Sequence, residues 1–422
     1  MRGPGGRSRP AGRPAGGRGR AFLAVAALAL ATALALATGA AGARRAAPAA
    51  PPEARSTVPA APPAQAAPPA QAAPPAQAAP PAQAAPAEAA EVAYGAPCSA
   101  AVGPGGWRRA DGPGPPARAL HVAAFDPLRG EALVHGGVGA DATALDDLWA
   151  FSLLDERWRE VAVEGDRPAP TWAAAALHDA ARDRMLLLFG NAAPATDAVW
   201  ALDLESGRWR RLPATGPAAR YDAAAATDGA DRVWIYGGFA GPQYRPDTAL
   251  GDLWELDLAA EAWRPLPVGG TAPPPTTNAA LAHHDGFLYL VGGHDAAGVT
   301  PGYWRYDLAR QEWRSLPAAA RPAAWTHHAR AVDTACADLL LLGGDDADAV
   351  AVPDVEALRL GATPGPLLAR LDTAPAAAAR HHAAAALDPL TRRLVLFGGW
   401  RGRLDLLGDT WIYALSGPPG AG

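Results

Sequence analysis

The sequence predicts an all-β domain made of six similar units, each containing four short strands. Pairs of tryptophans nine residues apart recur along the chain. Six apolar runs ending in glycine also recur, with a period of about fifty residues. Short apolar runs separated by turn residues are typical of β-strands. The tryptophan pairs are Trp149 and Trp158, Trp200 and Trp209, Trp254 and Trp263, and Trp304 and Trp313. The glycines are Gly136, Gly137, Gly190, Gly237, Gly238, Gly292, Gly293, Gly343, Gly344, Gly398 and Gly399.

Each unit begins with a strand of small residues, such as "RALHVAAFD" from Arg118, followed by a turn and the apolar strand that ends in glycine. A loop of variable length leads to a third strand with the first tryptophan. A tight connection then leads to a fourth strand with the second tryptophan. We expect these large aromatics to fill the wedge between neighbouring sheets. Paired glycines are expected where the backbone turns without room for side chains.

Paired glycines, an aromatic residue and a tryptophan at a fixed distance are the marks of the Kelch repeat, which this chain resembles from about Trp107 to Leu415. Kelch repeats form β-propellers, so the resemblance implies a six-bladed propeller of the galactose-oxidase type. Asn191 is expected to replace the second glycine of unit two. Glu356 stands where unit five should have its first tryptophan, so we expect blade five to be the least regular.

Closure of the ring is also predicted by the sequence. The last unit stops after its third strand, "DTWIYAL", which contains Trp411. The phrase "GWRRADGPGPP" precedes the first unit, and its Trp107 matches the second tryptophan of the other units. We expect this N-terminal strand to complete the last blade and so remove two open sheet edges.

The N-terminal part of the chain has a different composition. Residues 1–43 combine a basic leader with an uncharged run over 21–43, which predicts a signal peptide or an uncleaved membrane anchor. Residues 44–98 contain four APPAQA repeats and predict an extended or disordered linker. Residues 99–416 are assigned to the propeller and 417–422 to a short tail. We therefore expect an exported bacterial protein, periplasmic or extracellular, secreted or anchored to the inner membrane.

Charge and cysteine content narrow the possible functions. A formal net charge of −5 over 422 residues gives no strong field for binding nucleic acid. The two cysteines, Cys98 and Cys336, exclude a metal framework of the CxxC type. Export would favour a disulfide between them, because it places them in an oxidising compartment. The predicted propeller also puts both cysteines on the same face. We expect a monomeric propeller with no cofactor and no metal.

Three arginines form the first candidate ligand site. Arg118, Arg220 and Arg380 each stand eight residues before the aspartate that ends a first strand. The corresponding positions of the other units hold Thr171, Thr277 and Trp325. Arginine and aromatic residues commonly bind anionic groups and peptides. The alternative is that each arginine bonds carbonyls of its own repeat. The candidate loop residues on the same face are Tyr244, Arg245, His294, Trp400, Arg401 and Arg403.

Histidines form a second group of candidates, in the pairs His283–His284, His327–His328 and His381–His382. Adjacent strand residues point to opposite faces, so no pair is expected to bind one metal ion. A metal or general-base site built from His327, His382 and the equivalent Asp222 is the alternative to a polar channel lining. The loop with Asp345, Asp346 and Asp348 is interpreted as a solvated acidic loop rather than a calcium site.

The function favoured by the sequence is a binding module for a protein, peptide or glycan in the cell envelope. In Kelch domains of ubiquitin-ligase adaptors, arginines on this face bind acidic peptides, so the resemblance implies an acidic ligand. One alternative is a sugar mutarotase or epimerase, since six-bladed Kelch propellers also carry that activity. Another is a structural or adhesive surface protein. The fold alone does not decide among them.

Overall fold

The computed structural model describes residues 106–213, 215–241, 248–300, 302–317, 326–345, 350–361, 367–402 and 405–415. These residues form six sheets of four main antiparallel strands. The predicted six-bladed all-β propeller is therefore confirmed. The expected signal or anchor, the linker and the tail lie outside the described residues. Within the described ranges, no helix is long and apolar enough to cross a membrane.

The first three blades follow one pattern, with the strands in chain order from the centre outwards. Strand β1 (Gly106–Arg109) precedes them. Blade one consists of β2 (Val122–Asp126), β3 (Glu131–His135), β4 (Leu148–Ser152) and β5 (Arg157–Glu160). Blade two consists of β6 (Ala175–Asp179), β7 (Arg184–Leu188), β8 (Val199–Asp203) and β9 (Arg208–Arg211). Blade three consists of β10 (Ala224–Thr227), β11 (Arg232–Tyr236), β12 (Leu253–Asp257) and β13 (Ala262–Leu266).

Blades four and six also contain strands of two residues. Blade four consists of β14 (Gly269–Gly270), β15 (Ala280–His284), β16 (Phe287–Val291), β17 (His294–Asp295), β18 (Gly298–Val299), β19 (Tyr303–Asp307) and β20 (Glu312–Leu316). Blade five consists of β21 (Ala329–Asp333), β22 (Asp338–Leu342), β23 (Asp354–Arg359) and β24 (Leu367–Thr373). Blade six consists of β25 (Ala384–Asp388), β26 (Arg393–Phe397), β27 (Trp400–Arg401), β28 (Asp405–Leu406) and β29 (Thr410–Ala414).

The two faces of the propeller carry different connections. Loops between second and third strands emerge on one face, which we call the Gly-Gly face. They range from 10 residues (189–198) to 16 residues (237–252). The other face, the short-turn face, carries tight connections such as 127–130 and 153–156, each of four residues. The variable loops that commonly carry recognition therefore lie on the Gly-Gly face.

Six apolar clusters fill the six interfaces between neighbouring blades. The second tryptophan of a unit reaches the preceding blade, as the wedge argument predicts. The ring of Trp313 lies 5.4 Å from Tyr236 of blade three, and Trp158 lies 5.0 Å from Phe397 of blade six. Blade five lacks these tryptophans, and its β23–β24 pairing shifts register beside Glu356. The expected irregularity of blade five is confirmed.

The glycine pairs lie where one blade meets the backbone of the next. The amide of Gly137 donates to the carbonyl of Thr171 at 2.9 Å, and Gly238 donates to Thr276 at 3.0 Å. A Cβ on Gly237 would lie 2.2 Å from the Thr276 oxygen, which is too close for any side chain. Gly237 and Gly238 also have φ angles of 66° and 97°. At Gly237 and Gly238, glycine therefore satisfies both the close approach and the backbone conformation.

Two positions in this pattern differ from the sequence-based assignment. In blade two the amide that reaches the next blade belongs to Gly190, so Gly190 is the second residue of the pair. Phe189, with φ 59°, takes the first position, and the expectation that Asn191 replaces the second glycine is wrong. In blade four the residue equivalent to the arginines is Thr276, not Thr277. The turn between β15 and β16 has only two residues, and Asp285 lies in that turn rather than at the end of the strand. Counting eight residues back from Asp285 therefore gives a position one residue too late.

The predicted ring closure is confirmed. Strand β1 pairs antiparallel with β29, from Gly106 opposite Ala414 to Arg109 opposite Trp411. The half-buried Trp107 ring lies 4.8 Å from Tyr413 and 6.3 Å from Trp411. The last blade therefore combines its first three strands from the C-terminal repeat with a fourth from the N-terminal end of the domain.

The three arginines expected to bind ligand are instead fully enclosed by their own blades. Arg118 and Arg220 are 0% exposed and Arg380 is 1% exposed. Arg220 forms two hydrogen bonds with the Asp252 carboxylate, at 2.7 and 2.8 Å, and a third with the Gly237 carbonyl at 2.9 Å. Trp254, the first tryptophan of the unit, donates its indole N–H to the same carboxylate.

The same arrangement recurs in blades one and six. It consists of Arg118, Gly136, Asp147 and Trp149, and of Arg380, Gly398, Asp409 and Trp411. Burial raises the pKa of these aspartates, but the arginine hydrogen bond and charge outweigh that effect, so each pKa is lowered. These contacts match the alternative in which each arginine bonds groups of its own repeat. They do not support the hypothesis that these guanidiniums bind a ligand, and their charge is neutralised locally.

Cys336 lies in the β21–β22 turn on the short-turn face, is 7% exposed and is disulfide-bonded. Cys98 lies outside the described residues, and the chain has no third cysteine. The described chain begins at Gly106, which enters beside Ala414 on the short-turn face too. The pairing of Cys98 with Cys336 stays a prediction.

Removing the closure strand should destabilise the whole propeller. Deleting residues 1–110 removes β1 and exposes the β29 edge with Trp411 and Tyr413. We expect a large fall in melting temperature or aggregation, measured by differential scanning calorimetry. Deleting residues 1–95 should leave the melting temperature nearly unchanged. Equal melting temperatures of the two truncations would contradict the closure model.

Replacing a buried arginine should cost stability rather than binding alone. Arg380→Ala leaves Asp409, whose side chain is 14% exposed, and the Gly398 carbonyl without their buried partner, which costs about 3 to 5 kcal/mol. Arg208→Ala is the matched control, because Arg208 is 64% exposed and its pair with Glu164 contributes at most about 1 kcal/mol. Urea unfolding of both variants measures the difference. Similar free energies of unfolding would show that the buried pair is unimportant.

A disulfide between Cys98 and Cys336 should be detectable directly. Non-reducing peptide mapping of the full chain by mass spectrometry is expected to give one peptide that joins the two cysteines. Reduction should release both fragments and lower the melting temperature, because a closed loop restricts the unfolded chain. Two free thiols in unreduced protein purified from an oxidising compartment would refute the pairing.

Candidate functional site

Six residues with left-handed backbone form a ring at the centre of the Gly-Gly face. They stand just before the first strand of each blade, and their φ angles lie between 53° and 57°. Amide-to-carbonyl bonds of 2.8 to 3.0 Å join neighbouring blades, including Leu120 to His382 across the closure. Non-glycine residues rarely adopt this conformation, so the ring is a constraint held by the surrounding fold. Its members are Leu120, Ala173, Asp222, Asn278, His327 and His382.

Beside this ring, each blade contributes one backbone bridge between the residue before the ring position and the residue after its glycine pair. In blades one to three the bridges are Ala119–Val138, Trp172–Asn191 and Tyr221–Phe239. In blades four to six they are Thr277–His294, Thr326–Asp345 and His381–Trp400. Equivalent positions are therefore mostly apolar on one half of the face and mostly polar on the other.

The apolar half is a packed group that we call the aromatic cluster, formed by Trp172, Tyr221 and Phe239. Their rings lie 5.4 Å apart, Trp172 to Tyr221 and Tyr221 to Phe239. Ala173 completes its buried core, and Leu120 packs against it. Tyr221 and Phe239 are 1% exposed, whereas Trp172 is only half-buried and presents part of its ring on the surface.

The polar half is the imidazole cluster, formed by His294, His327, His381, His382 and Asp345. Nδ1 of His327 lies 2.9 Å from Oδ2 of Asp345, and Nδ1 of His381 lies 3.9 Å from the same oxygen. The rings of His327 and His382 stack at 3.8 Å, and His294 lies 5.2 Å from His327. Trp400 closes one side, 5.2 Å from His382.

The premise that adjacent histidines point to opposite faces, from which we expected that no pair binds one metal ion, does not hold for one pair. Nδ1 of His381 lies 2.6 Å from Nδ1 of His382. The physical reason is the φ of 53° at His382, because alternation of side chains holds only for extended backbone. The solvated loop expected around Asp345 is also corrected, since Asp345 is 2% exposed and faces the histidines. Asp346 and Asp348 lie outside the described residues.

Burial controls the protonation of this cluster. It lowers the pKa of His294 to about 4, with the neighbouring His327 adding to the effect. Burial likewise lowers the pKa of His381, and it lowers the pKa of His382 well below its usual value. The imidazoles are therefore neutral at physiological pH. The cluster has hydrogen-bonding atoms and nitrogen lone pairs, but it carries no histidine charge.

Asp222, a ring residue of blade three, has a different environment. Burial raises its pKa to about 7, opposed by a hydrogen bond from Asn278 and by the charge of Arg330. Burial also lowers the pKa of Arg330, and Asp222 opposes that shift. Asp222 is thus separated in character from His327 and His382, although all three occupy equivalent positions as predicted.

The remaining candidates divide between described and undescribed parts of the chain. His294 and Trp400 do lie at the centre of the Gly-Gly face. Arg401 points to Asp405, with hydrogen bonds of 2.9 and 2.7 Å, and stays exposed. Sequence reasoning missed Trp172, Tyr221 and Phe239 as a group. Their positions relative to the glycines carried the signal. The candidates Trp325, Tyr244, Arg245 and Arg403 lie outside the described residues.

The site offers hydrogen bonding, apolar contact and acid–base chemistry. His327 and Asp345 form an imidazole–carboxylate pair of the kind used in proton transfer.

Within the described ranges, two groups of side chains have metal-binding spacing. One is His327, Asp345 and His382. The other contains Asp126, His178 and Asp183 on the short-turn face, where Arg129 already bonds both carboxylates, at 2.7 and 2.9 Å.

Comparison with known proteins gives matches to eukaryotic proteins. Serine/threonine-protein phosphatase BSL2 of Arabidopsis thaliana is 35% identical over 170 residues, 38% of this chain and 16% of that protein. Dynein regulatory complex subunit 7 of Chlamydomonas reinhardtii is 31% identical over 122 residues, 27% of this chain and 10% of that protein. Tip elongation aberrant protein 1 of Schizosaccharomyces pombe is 24% identical over 175 residues, which are 40% of this chain and 15% of that protein.

The matched segments span less than a fifth of each of these relatives, so their whole-protein activities belong to them alone. Their eukaryotic origin lends no support to the bacterial envelope expected from the leader. The family described as the KLHDC2/KLHL20/DRC7 Kelch-repeats domain matches residues 106–293 and 180–346. These two matches together cover more than half of the chain, and the six-bladed fold agrees with them. The chain belongs to the Kelch-repeat β-propeller proteins.

Proposed function

We propose that this propeller is a binding module for a protein segment, held at the centre of the Gly-Gly face. The observation that carries the proposal is the division of that centre into the aromatic cluster and the imidazole cluster. A peptide presents both apolar side chains and backbone hydrogen-bonding groups, and this surface offers partners for both. Rigid aromatics at the centre of an interface supply most of the binding energy in protein complexes.

The ligand proposed here differs from the acidic one implied by the resemblance. The three arginines are buried against carboxylates, and the histidines are neutral. Recognition therefore rests on apolar contact and hydrogen bonds rather than on net charge. Export by the leader and apolar run of residues 1–43 is part of the proposal, since a basic segment followed by an apolar one is typical of export signals.

Affinity for peptide ligands should depend on Trp172 and little on salt. Peptides selected from a random display library on the full chain provide the ligands. Trp172→Ala should weaken their binding at least about tenfold, measured by fluorescence anisotropy, because an aromatic hot spot is lost. Raising the salt concentration should change affinity little, because aromatic rings and neutral imidazoles make up most of the two clusters.

The matched control lies on the short-turn face. Leu390 is 81% exposed there, so Leu390→Ala removes apolar surface without disturbing the core. This variant should bind the selected peptides normally. Loss of binding with Leu390→Ala but not with Trp172→Ala would place the site on the short-turn face and contradict the proposal. A melting-temperature measurement on both variants confirms that each is folded.

A second candidate function is favoured by the His327–Asp345 pair alone. An imidazole beside a carboxylate suits the acid–base steps of a mutarotase, which the sequence left as an alternative. Polarimetry of a freshly dissolved pure sugar anomer tests it, with His327→Asn as the control. Faster mutarotation by the unaltered chain than by His327→Asn would support an enzyme. Equal rates would exclude this role for the pair.

A further inference from the structure

Arg330 occupies a position that is small or apolar in every other blade. The first strands of the six blades surround the central channel, and Arg330 is the second residue of β21 in blade five. It follows the ring residue His327 by three positions. A charged side chain therefore interrupts a channel wall that is otherwise apolar at this level. The residues three positions after the other ring residues are Ala123, Ala176, Ala225, Leu281 and Ala385.

The side chain of Arg330 leaves its strand on the side of blade four. Alternate residues of a strand share one face, and Val332 packs in the apolar cluster between blades four and five. Ala225, at the equivalent position of blade three, likewise packs in the cluster that joins its blade to the preceding one. Arg330 is partly exposed, and β21 is the innermost strand of its blade, so the exposed part faces the channel.

The N–H donors of Arg330 are unused within the part of the chain that the structure describes, where this side chain forms no hydrogen bond and no ion pair. A guanidinium carries five such donors. The buried Arg220, by contrast, uses its donors on a carboxylate and two carbonyls. Burial lowers the pKa of Arg330, because surroundings of low polarity disfavour the charged form. Unused donors on a poorly hydrated cation favour the binding of an anion.

Asp222 of blade three lies within electrostatic range of Arg330, with blade four between their blades. Burial raises the pKa of Asp222 to about 7, against the opposing effects of a hydrogen bond from Asn278 and the charge of Arg330. Near neutral pH this carboxyl group is thus partly protonated, and in that form it is a hydrogen-bond donor. Burial keeps the ring histidines His327 and His382 neutral by lowering the pKa of each. An anion in this part of the channel therefore depends on Arg330 for its attraction.

We propose that the central channel binds one small monocarboxylate anion between Arg330 and Asp222. A guanidinium donates two parallel hydrogen bonds to the two oxygens of a carboxylate. The protonated carboxyl group of Asp222 donates a further hydrogen bond to the same anion. A single charge on the ligand suits the site, because a divalent anion would meet more repulsion from the ionised form of Asp222.

This site is separate from the surface proposed for a protein segment. Arg330 stands three residues further along the chain than His327, on a strand that runs from the Gly-Gly face to the short-turn face. It therefore lies deeper in the channel than the aromatic and imidazole clusters. Binding of a small anion there requires no bound peptide, so either proposal can fail without the other.

The test uses the full chain, with sodium acetate as the probe, at about pH 8, where Asp222 is mostly ionised. Isothermal titration calorimetry should give one acetate bound per chain. Acetate should also raise the melting temperature, because it binds the folded state. Sodium chloride at the same ionic strength should raise it less, because a single spherical ion cannot accept both parallel hydrogen bonds. Phosphate, which is mostly divalent at this pH, should bind more weakly than acetate.

Two variants of the site should change acetate affinity in opposite directions. Arg330→Ala should weaken binding at least about tenfold, because hydrogen bonds to a charged group are lost. This variant should fold normally, since alanine is native at the equivalent position of four blades. Asp222→Asn should bind acetate roughly threefold more tightly, because a nearby negative charge is removed. Asparagine is native at the equivalent ring position, Asn278, and tolerates left-handed backbone.

The matched control is Arg314→Ala, on the outer strand β20. Arg314 is exposed and, like Arg330, forms no hydrogen bond or ion pair with any residue that the structure describes. This variant should bind acetate as the unaltered chain does. Undiminished acetate binding by folded Arg330→Ala would overturn the proposal, and so would the absence of saturable binding by the unaltered chain.

Discussion

The backbone hydrogen bond from the second glycine of a blade to the carbonyl at the start of the next blade is the contact on which the propeller depends. It is seen between Gly137 and Thr171 at 2.9 Å and across the closure from Gly399 to Arg118 at 2.8 Å. Only glycine fits at the donor position, because a Cβ on Gly399 would lie 2.7 Å from the His381 carbonyl of its own blade, and one on Gly137 would lie 2.7 Å from the Ala119 carbonyl. The repeat therefore fixes blade against blade through backbone atoms, independently of which side chains surround them.

This backbone constraint explains why the centre of the Gly-Gly face can vary. The ring residues and the bridges next to them are held by amides and carbonyls, so their side chains are not needed for assembly. Blade three can carry Tyr221 and Asp222 where blade six carries His381 and His382. An aromatic cluster and an imidazole cluster then share one symmetric frame. Function in such a fold depends on which residues occupy equivalent positions, not on where those positions lie.

The sequence predicted the architecture well because the same pattern of strands, glycines and tryptophans recurs in six units. The tryptophan spacing, the glycine-terminated runs and the orphan strand with Trp107 led to the correct blades and the correct closure. It predicted the site poorly, because burial and pairing are not visible in a repeat pattern. Arg220 was taken as a ligand group, and only the structure shows Asp252 meeting it. His382 was placed as an extended residue, and its left-handed backbone, imposed by the ring, turns its imidazole towards His381.

Charged side chains on the outer strands of the propeller hinder edge-to-edge pairing with other sheets. The outer strands expose arginines, and several of these bond acids on inner strands or neighbouring blades. Arg159 bonds Glu131 at 2.6 Å, and Arg264 bonds Glu255, whose side chain is 4% exposed. Charged side chains along an edge strand hinder pairing with another sheet. With paired charges on the rim and short turns on one face, the Gly-Gly face is the surface where aromatic and unprotonated polar groups come together, and a partner would gain most by binding there.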